Sequence, residues 1–327
     1  MSVIVPVYNA ARYVGQAIAS AVSEPETLEV VVVEDGSEDD SWNRCREAAD
    51  RYPGRVVLLR HPGGRHRGPG ASRNLGLETA RGDLVAFLDA DDYVLPGRFR
   101  TSVPMLQARP DLDGVYEAVA VRPEDGVSRA EWEREAPGRD LVTMREGLPP
   151  EELLAALTRG GAGNFHTNGI VLRRHVVGVA GGFDHDLDLG QDTALWWRLA
   201  ACGRLVGGRL DAPVAVYRRH RGNRASLRHP DRRRVRLAVA ERTWRWALPR
   251  SCPAGTLRLL RQAYARALGD CDPAPGETVA GLVSHHIAAA PVLAFRSALW
   301  VGLLRRLARA VRTGFGGGAQ RLAGGPR

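Results

Sequence analysis

Leu84-Val85-Ala86-Phe87-Leu88-Asp89-Ala90-Asp91-Asp92 runs from five apolar residues straight into three carboxylates. An apolar run of that length and bulk is the pattern of a buried parallel strand. Carboxylates crowded at the end of such a strand repel one another. A bound divalent cation removes that cost, because hard cations such as Mg²⁺ or Mn²⁺ take oxygen ligands and share them with substrate phosphates. In open α/β sheets ligands sit outside the carboxyl ends of the strands, and the acids stand at that end. Taken alone, these nine residues fit a solvated acidic turn equally well.

The flanking chain repeats the pattern. Val3-Ile4-Val5-Pro6-Val7-Tyr8-Asn9 is a short buried strand ending in a turn, and Ala10 to Val22 has helical spacing, with Val14, Ile18 and Val22 on one side. Leu28 to Val33 is a second strand, again ending in acids at Glu34-Asp35-Gly36-Ser37. Ser41 to Tyr52 reads as a helix, Val56 to Leu59 as a third strand, and Ala71 to Ala80 as a helix with Arg73 and Asn74 in its first turn. Between these last two lies a Gly-rich basic loop, His61 to Gly70, whose His61, Arg65, His66 and Arg67 read best as solvated charge, with a phosphate-side loop as the alternative. Strand and helix alternating in this way predict βαβ units and a mostly parallel central sheet flanked by helices. Several of its strands end in polar or acidic residues on one edge, which builds a single cleft.

Further on, residues 122–140 are charged and contain Pro and Gly, the mark of an exposed excursion. Glu151 to Thr158 is a short helix and Gly169 to Arg173 a strand. Gly190-Gln191-Asp192 leads into a helix from Thr193 to Ala201, and Val214 to Tyr217 is a last strand running into Arg218-Arg219-His220-Arg221. Near residue 230 the composition changes to Arg-rich and helical, with a Gly-rich tail after Thr313.

The totals narrow the class. A chain of 327 residues, 44% hydrophobic, suffices for one large domain or two ordinary ones. The net charge of +9 calls for an anionic partner: nucleotide phosphates, nucleic acid or a membrane surface. All 46 basic residues are Arg, which looks more like base composition than function. Only 6% of residues are aromatic and the acids cluster in the cleft, which argues against a nucleic-acid binder built on stacking. Cys45, Cys202, Cys252 and Cys271 are scattered and give no zinc or disulfide pattern. The chain enters a strand at once and holds no run long and apolar enough to span a bilayer, so the expected location is cytoplasmic.

Five blocks together resemble glycosyltransferase family 2, the inverting nucleotide-sugar transferases with the GT-A fold. They are Val5-Pro6-Val7-Tyr8-Asn9, Glu34-Asp35-Gly36-Ser37, Ala71-Ser72-Arg73-Asn74, Leu88-Asp89-Ala90-Asp91-Asp92, and Gly181-Gly182-Phe183-Asp184 through Gly190-Gln191-Asp192 to Trp197-Arg198-Leu199. The resemblance covers roughly residues 2–224 and implies a GT-A catalytic domain over 1–229, its nucleotide half about 1–120 and its acceptor half about 121–229. An Arg-rich helical extension occupies 230–327. It also implies the chemistry: an acceptor attacks the anomeric carbon of a nucleoside-diphosphate sugar, most simply a UDP-sugar, and a divalent metal with basic groups stabilises the departing diphosphate. The acceptor, whether polysaccharide, lipid or small-molecule glycan, is left open.

By the same resemblance Asp91 is the metal ligand, and Asp89 contacts the ribose and the metal shell. Asp35 accepts from the NH of the base in a pocket formed by Pro6 and Tyr8, and Arg73 faces the nucleotide phosphates. For Arg73 a structural pairing with Asp89 or Asp91 is the alternative, and for Tyr8 a place in the core. Asp192 matches the acid that takes the acceptor proton, with a helix N-cap as its alternative. His220 either completes the metal or diphosphate site or is a surface side chain. Gln191 stands where the family usually has Glu, which bears on the acceptor contact, and Glu34 replaces the usual Asp. An inactive nucleotide-sugar-binding relative and a sugar nucleotidylyltransferase are the competing readings. The latter needs a Gly-rich basic loop after the first strand, where this chain has Tyr8-Asn9-Ala10-Ala11-Arg12.

One pattern lies outside these blocks. At roughly 100° per residue, Leu299, Trp300, Leu303, Leu304, Leu307 and Val311 share one helix face, and Arg305, Arg306, Arg309 and Arg312 share the other. Such a helix either lies on an anionic membrane or packs on the domain with its Arg face in water.

Overall fold

The computed structural model describes residues 1–223 and 232–271. The chain divides into two compact units, Met1–His229 and Pro230–Arg327. The amphipathic pattern over 299–312 and the Gly-rich tail lie outside the described residues.

In the first unit the elements run in chain order as β1 Ser2–Val7, α1 Val14–Val22, β2 Glu29–Glu34, α2 Ser41–Arg51, β3 Val56–Arg60, α3 Pro69–Thr79, β4 Leu84–Phe87 and β5 Tyr93–Val94. Then follow α4 Ser102–Ala108, β6 Gly114–Tyr116, β7 Val119–Pro123, α5 Gly126–Glu135, β8 Leu141–Val142 and α6 Pro150–Arg159. The unit closes with β9 Ile170–Arg173, α7 Arg174–Val179, α8 Gln191–Cys202, β10 Leu205–Gly207 and β11 Ala215–Arg219.

Seven strands form the main sheet in the order β10-β6-β9-β4-β1-β2-β3. β1 sits near its centre with all six residues buried, paired in parallel with β2 and β4. A strand covered on both faces has no polar side, which is why Ser2–Val7 reads as a continuous apolar run rather than an alternation. The helices then cover the faces. α1 buries Val14, Ala17, Ile18, Ala21 and Val22, the stripe expected of a helix lying on a sheet.

Three features depart from the sequence reading. β9 is antiparallel to both β4 and β6, so one reversed strand interrupts the parallel order. Residues 122–140 are not a bare excursion. β7 enters a second sheet of order β5-β11-β7-β8, and α5 follows, its first turn capped where Asp125 accepts from Ser128 N at 2.8 Å. The helix read from Thr193 begins two residues earlier, because Gly190 takes the left-handed conformation (φ 80°) and caps it.

A buried ion pair stands just beyond the end of β6. Arg98 Nη1 donates to Glu117 Oε2 at 2.7 Å, with both side chains fully buried. Removing one partner of such a pair typically costs about 3–5 kcal/mol, since the other charge is left unpaired in the interior. Arg98 Nε also donates to the carbonyl of Asn168 at 3.1 Å, so the pair anchors the segment that reaches the cleft.

In the second unit α9, Arg232–Ala247, and α10, Ala254–Asp270, pack as a helical hairpin. Leu237, Val239, Ala240, Trp244 and Ala247 of α9 are buried, as are Leu260, Ala263, Tyr264, Ala267 and Leu268 of α10. Among the described residues no helix is long and apolar enough to cross a membrane.

Candidate active site

β1, β2 and β4 end on the same edge, and the turns that follow them carry Tyr8, Asp35 and the three aspartates. The β2 turn is held by its own acid. Asp35 is buried and accepts from the backbone N–H of Arg67 at 2.7 Å and of Gly68 at 2.8 Å. His66 Nδ1 stands 2.9 Å from its Oδ2, and His61 Nε2 3.5 Å from its Oδ1. The loop 61–68 is therefore wrapped on Asp35: His61 is buried against that carboxylate, while His66 beside it, and Arg65 and Arg67, stay exposed as solvated charge. The wrapping needs Gly36, where φ is +74° and a Cβ would stand 2.5 Å from the carbonyl of Gly64.

Tyr8 is exposed, not core, and its ring lies 4.0 Å from that of His66. Pro6 is buried within β1, opposite Val33. Asn9 holds a positive φ of 50°, a conformation Asn tolerates. It accepts from Glu38 N through its side chain, and its own N–H donates to Ser37, which ties the β1 and β2 turns together.

The three aspartates have separate environments. Asp89 is half-buried. Arg73 Nη2 donates to its Oδ1 at 2.6 Å, while the Arg73 guanidinium lies 5.1 Å over the ring of Phe183. Burial pushes the Asp89 carboxyl up, but Arg73 and His166 beside it outweigh this and hold it below the usual range. Asp91 accepts at Oδ2 from Asn223 Nδ2 at 3.0 Å, and His220 Nε2 stands 3.2 Å from the same oxygen. Asp92 is fully buried, with one oxygen taken by Asn168 Nδ2 at 2.6 Å and the other by Arg218 N at 2.7 Å. Burial first, then the charges of Asp91 and Asp89, raise its carboxyl well above the usual range.

Asp92 thus serves as the floor of the turn. Its two partners come from distant segments, the one before β9 and β11 itself. Arg218 adds a bond from Nη1 to the carbonyl of Asp91 and stacks 4.5 Å from the ring of Tyr93. Asn168 also accepts from Asp89 N at 3.0 Å. A polar buried strand end is satisfied here by crossing hydrogen bonds, as buried polar groups require.

Asp89, Asp92 and His166 bring ligand atoms within 4.8 Å of one another. Since both oxygens of Asp92 already accept from neutral donors, the better donor set for a hard cation is Asp91 with Asp89. Oδ1 of Asp91 and Oδ2 of Asp89 accept no hydrogen bond among the described residues. His220 is drawn to this set, with its ring stacked 5.0 Å from that of Tyr13.

Asp192 is the second residue of α8. Its Oδ1 accepts from Thr193 N at 2.7 Å, so it is a first-turn acid and not the N-cap. Gln191 is buried: Nε2 donates to the carbonyl of Leu187 at 2.5 Å and its Oε1 would stand 3.2 Å from a Cβ on Gly70, so it pins the segment before α8 against α3. Asn74 pairs with Phe183 in both directions, accepting from its N–H and donating to its carbonyl, each at 2.8 Å.

His166, Asn168, Arg218 and Asn223 escaped the sequence reading. Each stands apart from the acidic blocks, and only the signal of a His followed by Asn inside a Gly-rich segment, Gly160 to Gly169, marked the first two.

The glycosyl transferase family 2 model matches residues 2–177, more than half of the chain, and the chain belongs to that family. It is 45% identical over 96 residues to the succinoglycan biosynthesis protein ExoU of Rhizobium meliloti, a match covering 29% of this chain and 27% of that protein. To ExoO of the same organism it is 34% identical over 210 residues, 61% of this chain and 55% of that one. The chain therefore spans from a quarter to about half the length of these two relatives. The crystal structure of S. aureus TarS 1-349 in complex with UDP-GlcNAc matches with a TM-score of 0.65 at 17% identity, covering 96% of this chain and 91% of that one. The mannosyltransferase PcManGT from Pyrobaculum calidifontis in complex with GDP-Man and Mn²⁺ matches with a TM-score of 0.54 at 20% identity, covering 95% and 86%. The fold is GT-A.

Proposed function

We propose that this chain transfers a sugar from a nucleoside-diphosphate sugar to an acceptor hydroxyl, with a divalent metal and with inversion at the anomeric carbon. The observation that carries the reading is a pair of contacts in the turn after β4, Arg73 on Asp89 and His220 on Asp91. A pair of carboxylates with unused oxygens, flanked by an Arg and a His, suits a hard cation that also binds a diphosphate. When bound, the metal neutralises the charge that develops on the departing diphosphate. Neighbouring structures holding UDP, UDP-GlcNAc or GDP-Man with Mn²⁺ support the donor class, and a UDP-sugar is the donor we favour.

The remaining roles are those the family resemblance implies, and the placement of the residues is compatible with them. Tyr8, above the buried Pro6, offers an exposed ring for the nucleobase. Asp35 accepts from the base NH at the oxygen His66 now approaches. Asp89 takes a ribose hydroxyl. Arg73, held by Asp89 and Phe183, faces the phosphates. Asp192, set in the first turn of α8, takes the acceptor proton while the acceptor oxygen bonds to the anomeric carbon. The sugar–phosphate bond breaks with its electron pair leaving on the diphosphate. Because attack and departure occur on opposite faces, the product has the opposite anomeric configuration to the donor.

The test is to incubate the protein with Mn²⁺ and UDP-glucose, UDP-GlcNAc, GDP-mannose or a CDP- or dTDP-sugar and follow nucleoside diphosphate release. Release from one donor that stops in EDTA supports the reading. Release unchanged by EDTA contradicts the metal, and no release from any donor contradicts the transferase.

A further inference from the structure

Tyr13 stands at the N-terminal boundary of α1, half-buried. Its ring stacks on the imidazole of His220, with centroids 5.0 Å apart and planes 27° apart. Its hydroxyl donates to Glu124 Oε2 at 2.7 Å. The other oxygen of Glu124, Oε1, stands 3.4 Å from Arg218 Nε. The guanidinium of Arg218 lies 5.2 Å from the Tyr13 ring and 4.5 Å from that of Tyr93. It also donates from Nη1 to the Asp91 carbonyl and from Nη2 to Gln16 of α1. The contacts close on themselves, from Tyr13 to Glu124 to Arg218 and back to Tyr13. Three segments far apart in sequence are joined there: the start of α1, the end of β7 and the end of β11.

Two of the holds on Asp91 meet at this cluster. Its carboxylate is held at Oδ2 by His220, on which Tyr13 stacks, and its carbonyl by Arg218, which Tyr13 also touches. A stacked ring fixes the plane of the imidazole. A fixed imidazole in turn fixes the carboxylate at Oδ2 and leaves Oδ1 for a cation. Partners that orient a metal ligand tune the affinity of a site without touching the metal. The Tyr13 ring is not core filling, since it is half-exposed and its hydroxyl is committed to the bond that anchors it. We propose that Tyr13 is a positioning residue for the Asp91–His220 pair, acting through the stacked imidazole and through Arg218. The proposal rests on the reading of this turn as a metal site.

Metal affinity and metal-free nucleotide binding separate positioning from a general loss of structure. Titration calorimetry measures Mn²⁺ binding in the presence of UDP, and UDP binding in EDTA, for the wild type and three variants. Tyr13→Leu removes the stack. Tyr13→Phe keeps the ring and loses its anchor, and Glu124→Ala removes the same anchor from another strand. One aromatic stack corresponds to up to about tenfold in affinity. The expected result is a loss of Mn²⁺ affinity of that order in Tyr13→Leu, a smaller loss in the other two, and unchanged UDP affinity in EDTA throughout. Unchanged Mn²⁺ affinity in Tyr13→Leu overturns the proposal, and so does an equal fall in Mn²⁺ and metal-free UDP affinity. If Tyr13→Leu does not fold, Glu124→Ala decides by the same two readings. Wild-type protein that binds no Mn²⁺ in the presence of UDP overturns the metal reading of the turn instead.

Discussion

Nε2 of His220 stands 3.2 Å from Oδ2 of Asp91, across 129 residues of chain. The strand β11 makes this contact. It runs parallel to β7, antiparallel to β5, and ends where Asn223 adds a second bond to the same oxygen. Asp91 is thus held from the far end of the unit, and its free oxygen is aimed by residues that have no sequence proximity to it.

That arrangement predicts a graded response to substitution. Asp91→Asn should abolish sugar transfer and the Mn²⁺-dependent part of nucleotide binding, with the thermal unfolding midpoint unchanged. His220→Ala should keep activity but demand more metal, by about 10–100-fold in Mn²⁺ for half-maximal rate, as loss of a supporting partner does. A titration of activity against Mn²⁺ checks both. Equal Mn²⁺ requirements for wild type and His220→Ala would place the His outside the metal site.

The ring of His66 covers the face of Tyr8 and approaches the acid proposed to read the nucleobase. On that proposal an arriving base takes both positions. His66→Ala should therefore tighten UDP binding, by a few-fold, about the value of one modest aromatic contact. Weaker binding, measured by calorimetry, would mean that this ring closes over the base instead of giving way to it.

Much of the strand edge that carries these residues was legible before the fold was known, and the reasons differ by residue. The apolar runs of β1, β2 and β4 stop abruptly at polar residues, and burial on both faces makes such runs conspicuous. The reversed direction of β9 was not legible, because Ile170–Arg173 is as apolar as a parallel strand and burial does not encode direction. Residues 122–140 looked like loop because α5 is short, amply charged and buries little beyond Ser128. The start of α8 was displaced by a glycine cap, since Gly190 needs only backbone freedom and leaves no side-chain signal. His61 looked solvated because its partner, Asp35, is supplied by another strand. His166, Asn168 and Asn223 act through contacts that span the unit, which spacing cannot report.

Cys45 gives a check on the β2 end of the core that does not depend on activity. It is buried in α2, and burial, then the nearby charges of Glu34 and Asp39, push its thiol up to about 12. The unfolded thiol titrates near 8.5. A raised folded value means that the native state keeps the proton longer, so this group's contribution is present below pH of about 8.5 and is lost as pH rises toward 12. Native protein at pH 8 should therefore label with a thiol reagent at the exposed Cys202 and not at Cys45, with Cys45 reacting only in denaturant. Mass spectrometry of the labelled peptides reads the outcome, and rapid native labelling of Cys45 would contradict the packing described for α2.

The central claim is that Asp192, in the first turn of α8, removes the acceptor proton. The substitution Asp192→Asn keeps the shape and the bond from Thr193 N, so the helix should stand. An amide cannot take a proton at neutral pH. The decisive measurement is the rate of sugar transfer to acceptor by Asp192→Asn, at Mn²⁺ and donor concentrations shown by calorimetry to saturate both proteins. The account predicts a fall of about 10²–10⁴-fold, the usual worth of a general base, with donor affinity unchanged. Transfer within a few-fold of the wild-type rate would contradict it and move the base to another carboxylate.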